Sequence, residues 1–154
     1  MGYSTDFDGA FAITPKLSSD DNTFLTKFAN TRRMARNVGV EYGSEGEFYV
    51  DGGDEFGQKL DDNIIDYNRP PNTQPGLWCQ WIPNDDGDAL EWNGGEKFYN
   101  YTDWLQYLID KILAPRGYTL NGEVFWHGEC NDDFGKIVVL NNVMTHKLGR
   151  RVYD

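Results

Sequence analysis

The chain has 154 residues, 15% of them aromatic, and a formal net charge of −11. That length and aromatic content suit one domain with a buried core and exclude a disordered chain. No apolar run reaches the roughly 20 residues needed to cross a bilayer, and the acidic excess disfavours nucleic acid and anionic membranes while attracting basic surfaces.

Residues 1–6 carry neither the basic nor the apolar stretch of a signal peptide, so the expected location is the cytoplasm. Residues 3–13 alternate as a half-buried strand does, with Tyr3, Thr5, Phe7, Gly9, Phe11 and Ile13 on one face. Pro15 ends that run. Ser18 then reads as a helix N-cap, with Asp20 and Asp21 in the first turn. Phe24, Leu25, Phe28 and Ala29 keep helical spacing, and Arg32, Arg33 and Arg36 suit the negative end of a helix dipole, which predicts a helix fading before Gly39.

Residues 41–76 show little periodicity. Gly43, Gly46, Gly52, Gly53 and Gly57 punctuate them, residues 48–50 form a short strand candidate, and Pro70, Pro71 and Pro75 stiffen the exit. The expectation is a long acidic loop within a single domain spanning 1–154, of the kind that usually carries function. Residues 77–82 read as an aromatic strand, Asn84 to Asp88 as a turn, and residues 89–92 as the returning arm of a hairpin. Tyr101, Trp104, Leu105, Leu108, Ile109 and Ile112 fall on one helical face, stopped by Pro115 and Gly117. Strands follow at 119–127, 136–140 and 143–147, the last two joined by a tight Asn141-Asn142 turn. The predicted order is β-α-β-β-β-α-β-β-β, an α+β fold with one mostly antiparallel sheet and both helices on one face.

The chemistry-bearing residues assemble no complete catalytic site. Nucleophilic catalysis needs a nucleophile, a base and an orienting group, and only His127 and His146 supply an imidazole, neither within a signature. His127, Glu129, Cys130, Asp132 and Asp133 lack the paired spacing of a zinc site, and Asn84 to Asp88 lack the spacing of a calcium loop. No metal or cofactor is expected, and Cys79 and Cys130 are too few for a disulfide framework. Gly52-Gly53 and Gly94-Gly95 do not open phosphate-binding turns. The acids Glu45, Glu47, Asp51, Asp54, Glu55, Asp61 and Asp62 remain, close in sequence, as carboxylates for general acid–base work or for contact with a cation.

Charge is distributed unevenly. Residues 41–96 hold fourteen acids against Lys59 and Arg69, a net of −12, while the rest of the chain has eleven acids and twelve bases, a net of +1. Beside this stretch lie Trp78, Trp81 and Trp92. Most such rings fill core, but alternation puts Trp78 and Trp81 on opposite faces, so one of them suits a partner's hot spot. The leading reading is a non-enzymatic interaction module in which Glu45, Glu47, Asp51, Asp54, Glu55, Asp61, Asp62, Trp78 and Trp81 engage a basic host protein surface, without direct contact to nucleic acid or membrane. The alternatives are a small-molecule-binding domain or enzyme with a cleft beside the Trp-rich hairpin, and an oligomer pairing its sheet edges.

Residues 66–71 (Asp-Tyr-Asn-Arg-Pro-Pro), 74–81 (Gln-Pro-Gly-Leu-Trp-Cys-Gln-Trp), 92–99 (Trp-Asn-Gly-Gly-Glu-Lys-Phe-Tyr), 120–124 (Leu-Asn-Gly-Glu-Val) and 133–139 (Asp-Phe-Gly-Lys-Ile-Val-Val) resemble a family of small acidic proteins of bacteriophages and bacterial genomes. The resemblance covers the C-terminal half well and the first strand more loosely. That family has no assigned activity, so the resemblance implies a setting, the cytoplasm of a phage host, and no residue role. In that setting a carboxylate array would occupy a phosphate-binding groove on a defence or nucleic-acid-binding protein.

Overall fold

The computed structural model describes residues 2–51, 53 and 55–152. In chain order the elements are β1 (Thr5–Thr14), α1 (Ser19–Ala29), β2 (Ala35–Arg36), β3 (Ile64–Asp66), β4 (Trp81–Pro83), β5 (Ala89–Trp92), α2 (Tyr101–Leu108), β6 (Thr119–Gly128), β7 (Phe134–Leu140) and β8 (Val143–Leu148). Six strands form one antiparallel sheet in the order β4-β5-β1-β6-β7-β8, and β2 and β3 pair separately as a short ribbon. The fold is α+β, as the element pattern predicts.

The long pair at the centre sets the register. β1 and β6 run antiparallel from Thr5 opposite Gly128 to Thr14 opposite Thr119. Alternation then puts Phe11, Ile13, Leu120, Val124, Trp126, Ile137 and Val139 in the core, whereas Asp6, Asp8, Glu123 and Phe125 lie on the exposed face. Leu25 and Phe28 of α1 and Trp104, Leu105 and Leu108 of α2 belong to that same core, so both helices cover one side of the sheet. Phe7 sits among four rings, 4.9 Å from Tyr101, 5.4 Å from both Trp81 and Trp92, and 5.7 Å from Phe98. Such edge-to-face pairs add attraction beyond area burial. At the far edge Asn141 and Asn142 take φ values of 49° and 69°, the left-handed pair that a two-residue hairpin turn needs.

Ser18 caps α1 by accepting the Asp21 N–H at 3.1 Å. The Asp21 carboxylate in turn accepts hydrogen bonds from Arg116 and Tyr118, both at 2.6 Å, which ties the start of α1 to the turn after α2. Desolvation alone would raise the Asp21 carboxyl, but hydrogen bonds from Tyr118, Arg116 and Ser18 outweigh it and hold it below its ordinary value. A carboxyl with a lowered folded pKa contributes stability above its unfolded value, near pH 4, and loses it as the pH falls through the folded value. Asp21→Asn is therefore expected to lower the urea midpoint at pH 7, with the gap to the native chain narrowing below about pH 4. A gap that stays constant from pH 7 to pH 3 would contradict that role.

Several elements differ from expectation: the β2–β3 ribbon has no counterpart in the predicted order, so four strands rather than three lie between the helices, and the strand expected at 77–82 is confined to Trp81–Pro83. α1 stops at Ala29, where Asn30 caps it, and Thr31 Oγ1 bonds back to the Lys27 carbonyl at 2.7 Å. Arg32, Arg33 and Arg36 thus lie beyond the helix, and their charges serve the central segment instead of a dipole. The strand candidate at 48–50 is no strand: two 3-10 turns, Val40–Tyr42 and Ser44–Gly46, precede it, and Phe48 and Val50 pack against the core. α2 continues through a π-helical turn, Ile109–Leu113, closed by the Ala114 N–H on the Ile109 carbonyl at 2.9 Å. The extra residue in that turn lets Ile112 and Leu113 both face the core.

Candidate interaction surface

The central acidic segment takes its shape from cations that precede it in sequence. Arg32 donates to the Tyr67 carbonyl at 3.2 Å and stacks on the Tyr67 ring. Arg36 donates to the Gly57 carbonyl at 2.7 Å and to Asn63 Oδ1 at 3.0 Å, with its guanidinium over Tyr49. Arg33 goes deepest. It donates to the Glu47 carbonyl at 2.9 Å and lies 4.1 Å above the Phe28 ring. Burial pulls the Arg33 guanidinium down to about 10, so it stays charged at neutral pH, with Tyr107, Cys79 and Glu47 acting on it electrostatically. Each arginine satisfies backbone oxygens of the segment, adding to its own turn hydrogen bonds and to the β2–β3 ribbon in ordering an irregular loop.

Glu47 is the buried end of this arrangement, 6% exposed. Its Oε1 accepts the Tyr107 hydroxyl at 2.6 Å, its Oε2 accepts the Ser44 N–H at 3.3 Å, and its carbonyl accepts both Arg33 and Gln74. Burial and then the Glu47 carboxylate push the Tyr107 hydroxyl well above its ordinary range, so it remains a donor. Glu45 is also engaged. Arg69 meets its Oε2 at 2.8 Å, the Asn72 N–H bonds its Oε1 at 2.8 Å, and the Arg69 hydrogen bond leads in holding its carboxyl below the usual value.

The predicted contact residues therefore divide. Asp51, Glu55, Asp61 and Asp62 are exposed on the central segment, joined by Glu41, Asp66 and Glu96. Asp54 lies outside the described residues. Glu47 and Trp81 are corrected from surface to interior: Glu47 is consumed by the polar network, and Trp81, 1% exposed, packs on Phe7, Phe11 and Phe98 while its indole N–H meets the Tyr101 carbonyl at 2.9 Å. Glu45 holds the loop together as one half of an ion pair.

Trp78 precedes β4, which is confined to Trp81–Pro83 and not 77–82 as expected, so no strand alternation sets its face. It is half-buried and packs edge-on against Phe56, ring centroids 6.3 Å apart, and Phe56 is itself 45% exposed. Two clefts flank Trp78. One, about 430 Å³, runs past Gly76, Leu77, Gln80, Glu96, Lys97 and Asn100; the other, about 360 Å³, passes Ala29, Phe56, Gln58 and Asn93. Phe56 carried no periodic signal in the sequence, because nothing regular surrounds it. Only its place among acids and glycines marks it.

The remaining groups gather no obvious chemistry. Among the described residues no three His, Cys, Asp or Glu side chains lie close enough to hold a metal ion. Asn84 Oδ1 accepts the Asp88 and Ala89 N–H groups, so that acidic stretch is a turn. Cys79 and Cys130 are free, and burial pushes the Cys79 thiol up to about 12, which leaves it protonated and unreactive. No described helix is long and apolar enough to cross a membrane. Comparison with protein-family models, with curated proteins and with solved structures finds no match to this chain.

Proposed function

We propose that the chain is a phage-encoded, non-enzymatic interaction module that captures a basic surface of a host protein, a defence or nucleic-acid-binding protein among the candidates. The observation that carries the reading is the partly exposed Phe56–Trp78 pair, whose Phe56 lies on the same central segment as the exposed carboxylates of Asp51, Glu55, Asp61 and Asp62. Aromatic anchors near charge suit a hot spot: the rings supply affinity, and the surrounding field supplies steering and choice of partner. The arginines beneath the segment add support, because an ordered array loses less entropy on binding than a loose one. The cleft supplies only Trp78 and Glu96 of the groups a small-molecule site at the Trp-rich hairpin would use, since Trp81 is buried and Trp92 is engaged with Phe7, Gln80 and Gly95.

An acetylated, amidated Lys-Leu-Lys-Leu-Lys peptide tests the reading. Its affinity is expected to fall at least about tenfold between about 0.1 M and about 1 M salt, as the screening length shrinks from about 10 to about 3 Å. Asp51→Asn, Glu55→Gln, Asp61→Asn and Asp62→Asn together are expected to lower the affinity about as far at low salt. Affinity indifferent to both salt and these substitutions would refute the proposal.

A further inference from the structure

Both helices cover one side of the six-stranded sheet, and the other side is open. An antiparallel sheet with one wet face usually sets polar residues on it. Here that face is largely apolar. Phe125, Leu140 and Val143 are 52%, 64% and 67% exposed, with Phe134 and Val138 partly buried beside them. Two hollows of about 320 Å³ each flank Phe125 and Phe134, one reaching Asp6 and Asp8, the other Lys136 and Lys147. Contiguous exposed apolar surface of this kind suits an interface.

The charges on this face are sorted by strand. Pairing register places Asp8, Phe125, Lys136 and Lys147 in one row across β1, β6, β7 and β8. Asp6, Asp8 and Glu123 stand on the β1–β6 half, and Lys136 and Lys147 stand on the β7–β8 half. Lys136 already meets Glu123 at 3.3 Å across the midline. Asp6, Asp8 and Lys147 make no ion pair among the described residues.

We infer that this face is covered by a second copy of the chain, related by a twofold axis running parallel to the strands between β6 and β7. That rotation lays β1 over the partner's β8 and β6 over the partner's β7, so Asp8 faces the partner's Lys147 and Phe125 faces the partner's Lys136. Stacked sheets pack about 10 Å apart, a gap that an Asp and a Lys side chain together span. A twofold axis across the strands would instead set acids on acids and lysines on lysines. A wholly basic partner would meet the lysines, and a wholly acidic one would meet Asp6 and Asp8. A second copy complements both halves. Four strands about 4.8 Å apart and about seven residues long give a footprint of roughly 450 Å² per protomer, which is small and implies a weak dimer. Capture of a basic partner by the central segment does not depend on this face, so either reading can fail without the other.

Sedimentation equilibrium of the native chain, Asp8→Lys, Lys147→Asp and the double variant, from about 10 µM to about 1 mM, tests the inference. Both positions are exposed, and thermal melting checks that each variant stays folded. The expected result is a native dimer with a Kd inside that range, weakened at least about tenfold by each single reversal and restored to within about threefold by the double variant. Asp8→Lys reduces the overall negative charge of the chain, so general repulsion between copies predicts tighter association for it, the opposite sign. The double variant keeps the native net charge. A native chain that stays monomeric throughout overturns the inference. So does a dimer that either single reversal leaves unweakened, or one that the double variant fails to restore.

Discussion

Trp81→Ala is expected to destabilise the fold by about 3–5 kcal/mol, whereas Trp78→Ala, three residues away, is expected to cost about 1 kcal/mol and to weaken peptide binding roughly 30-fold. The contrast follows from what each ring touches. Trp81 meets three phenylalanine rings and donates to the Tyr101 carbonyl, so its removal opens a cavity between sheet and α2 and leaves that carbonyl without its partner. Trp78 touches Phe56 at the rim, where water and neighbouring chain can fill the space. Chemical denaturation gives the stability of both variants, and calorimetry of the soluble Trp78→Ala protein gives its affinity. A Trp78→Ala loss of stability as large as that of Trp81→Ala would place Trp78 in the core and remove it from the binding surface.

Arg33→Ala is expected to be comparably severe, at about 3–5 kcal/mol, because it empties a buried volume and strips a buried carboxylate of its nearby countercharge. The guanidinium supports the Glu47 carbonyl and covers the Phe28 ring, so its loss should loosen the whole central segment. Amide hydrogen exchange is the discriminating measurement: residues 41–76 should exchange faster in the variant, while β1 and β6 keep their order of protection. Arg33→Met keeps the volume but not the charge, and adding Glu47→Gln to it should recover part of the loss. If Arg33→Met alone were neutral, the charge at this site would have no structural role, and packing alone would explain the alanine variant.

The parts of the fold legible in the sequence are those whose order is local. Alternation in β1, the Asn141-Asn142 turn and the apolar stripe of α2 each follow from neighbouring residues, and each stands close to where the periodicity puts it. The central segment was illegible for the opposite reason. Beside the Arg69–Glu45 pair and Gln74 within it, its donors are arginines just after α1 and its buried hydroxyl, Tyr107, comes from α2, so a window of 41–76 contains only part of what organises it. The same non-locality explains the misplaced end of α1: three arginines after an apolar stripe look like dipole complements, and only tertiary structure reveals loop carbonyls as their partners. Glu47 has the sequence context of its exposed neighbours, and burial depends on Tyr107, sixty positions away. The division between Trp78 and Trp81 was not legible, since Trp78 precedes β4 and no strand alternation relates the two rings.

The most direct test of the central claim is capture from a host-cell lysate at about 0.1 M and about 1 M salt, by the native chain and by the variant with Asp51→Asn, Glu55→Gln, Asp61→Asn and Asp62→Asn, each partner being identified by mass spectrometry. Charge-steered capture centred on Phe56 and Trp78 predicts a basic protein retained by the native chain at low salt, released at high salt and missing from the variant. The same protein retained by both chains at both salt concentrations would contradict it.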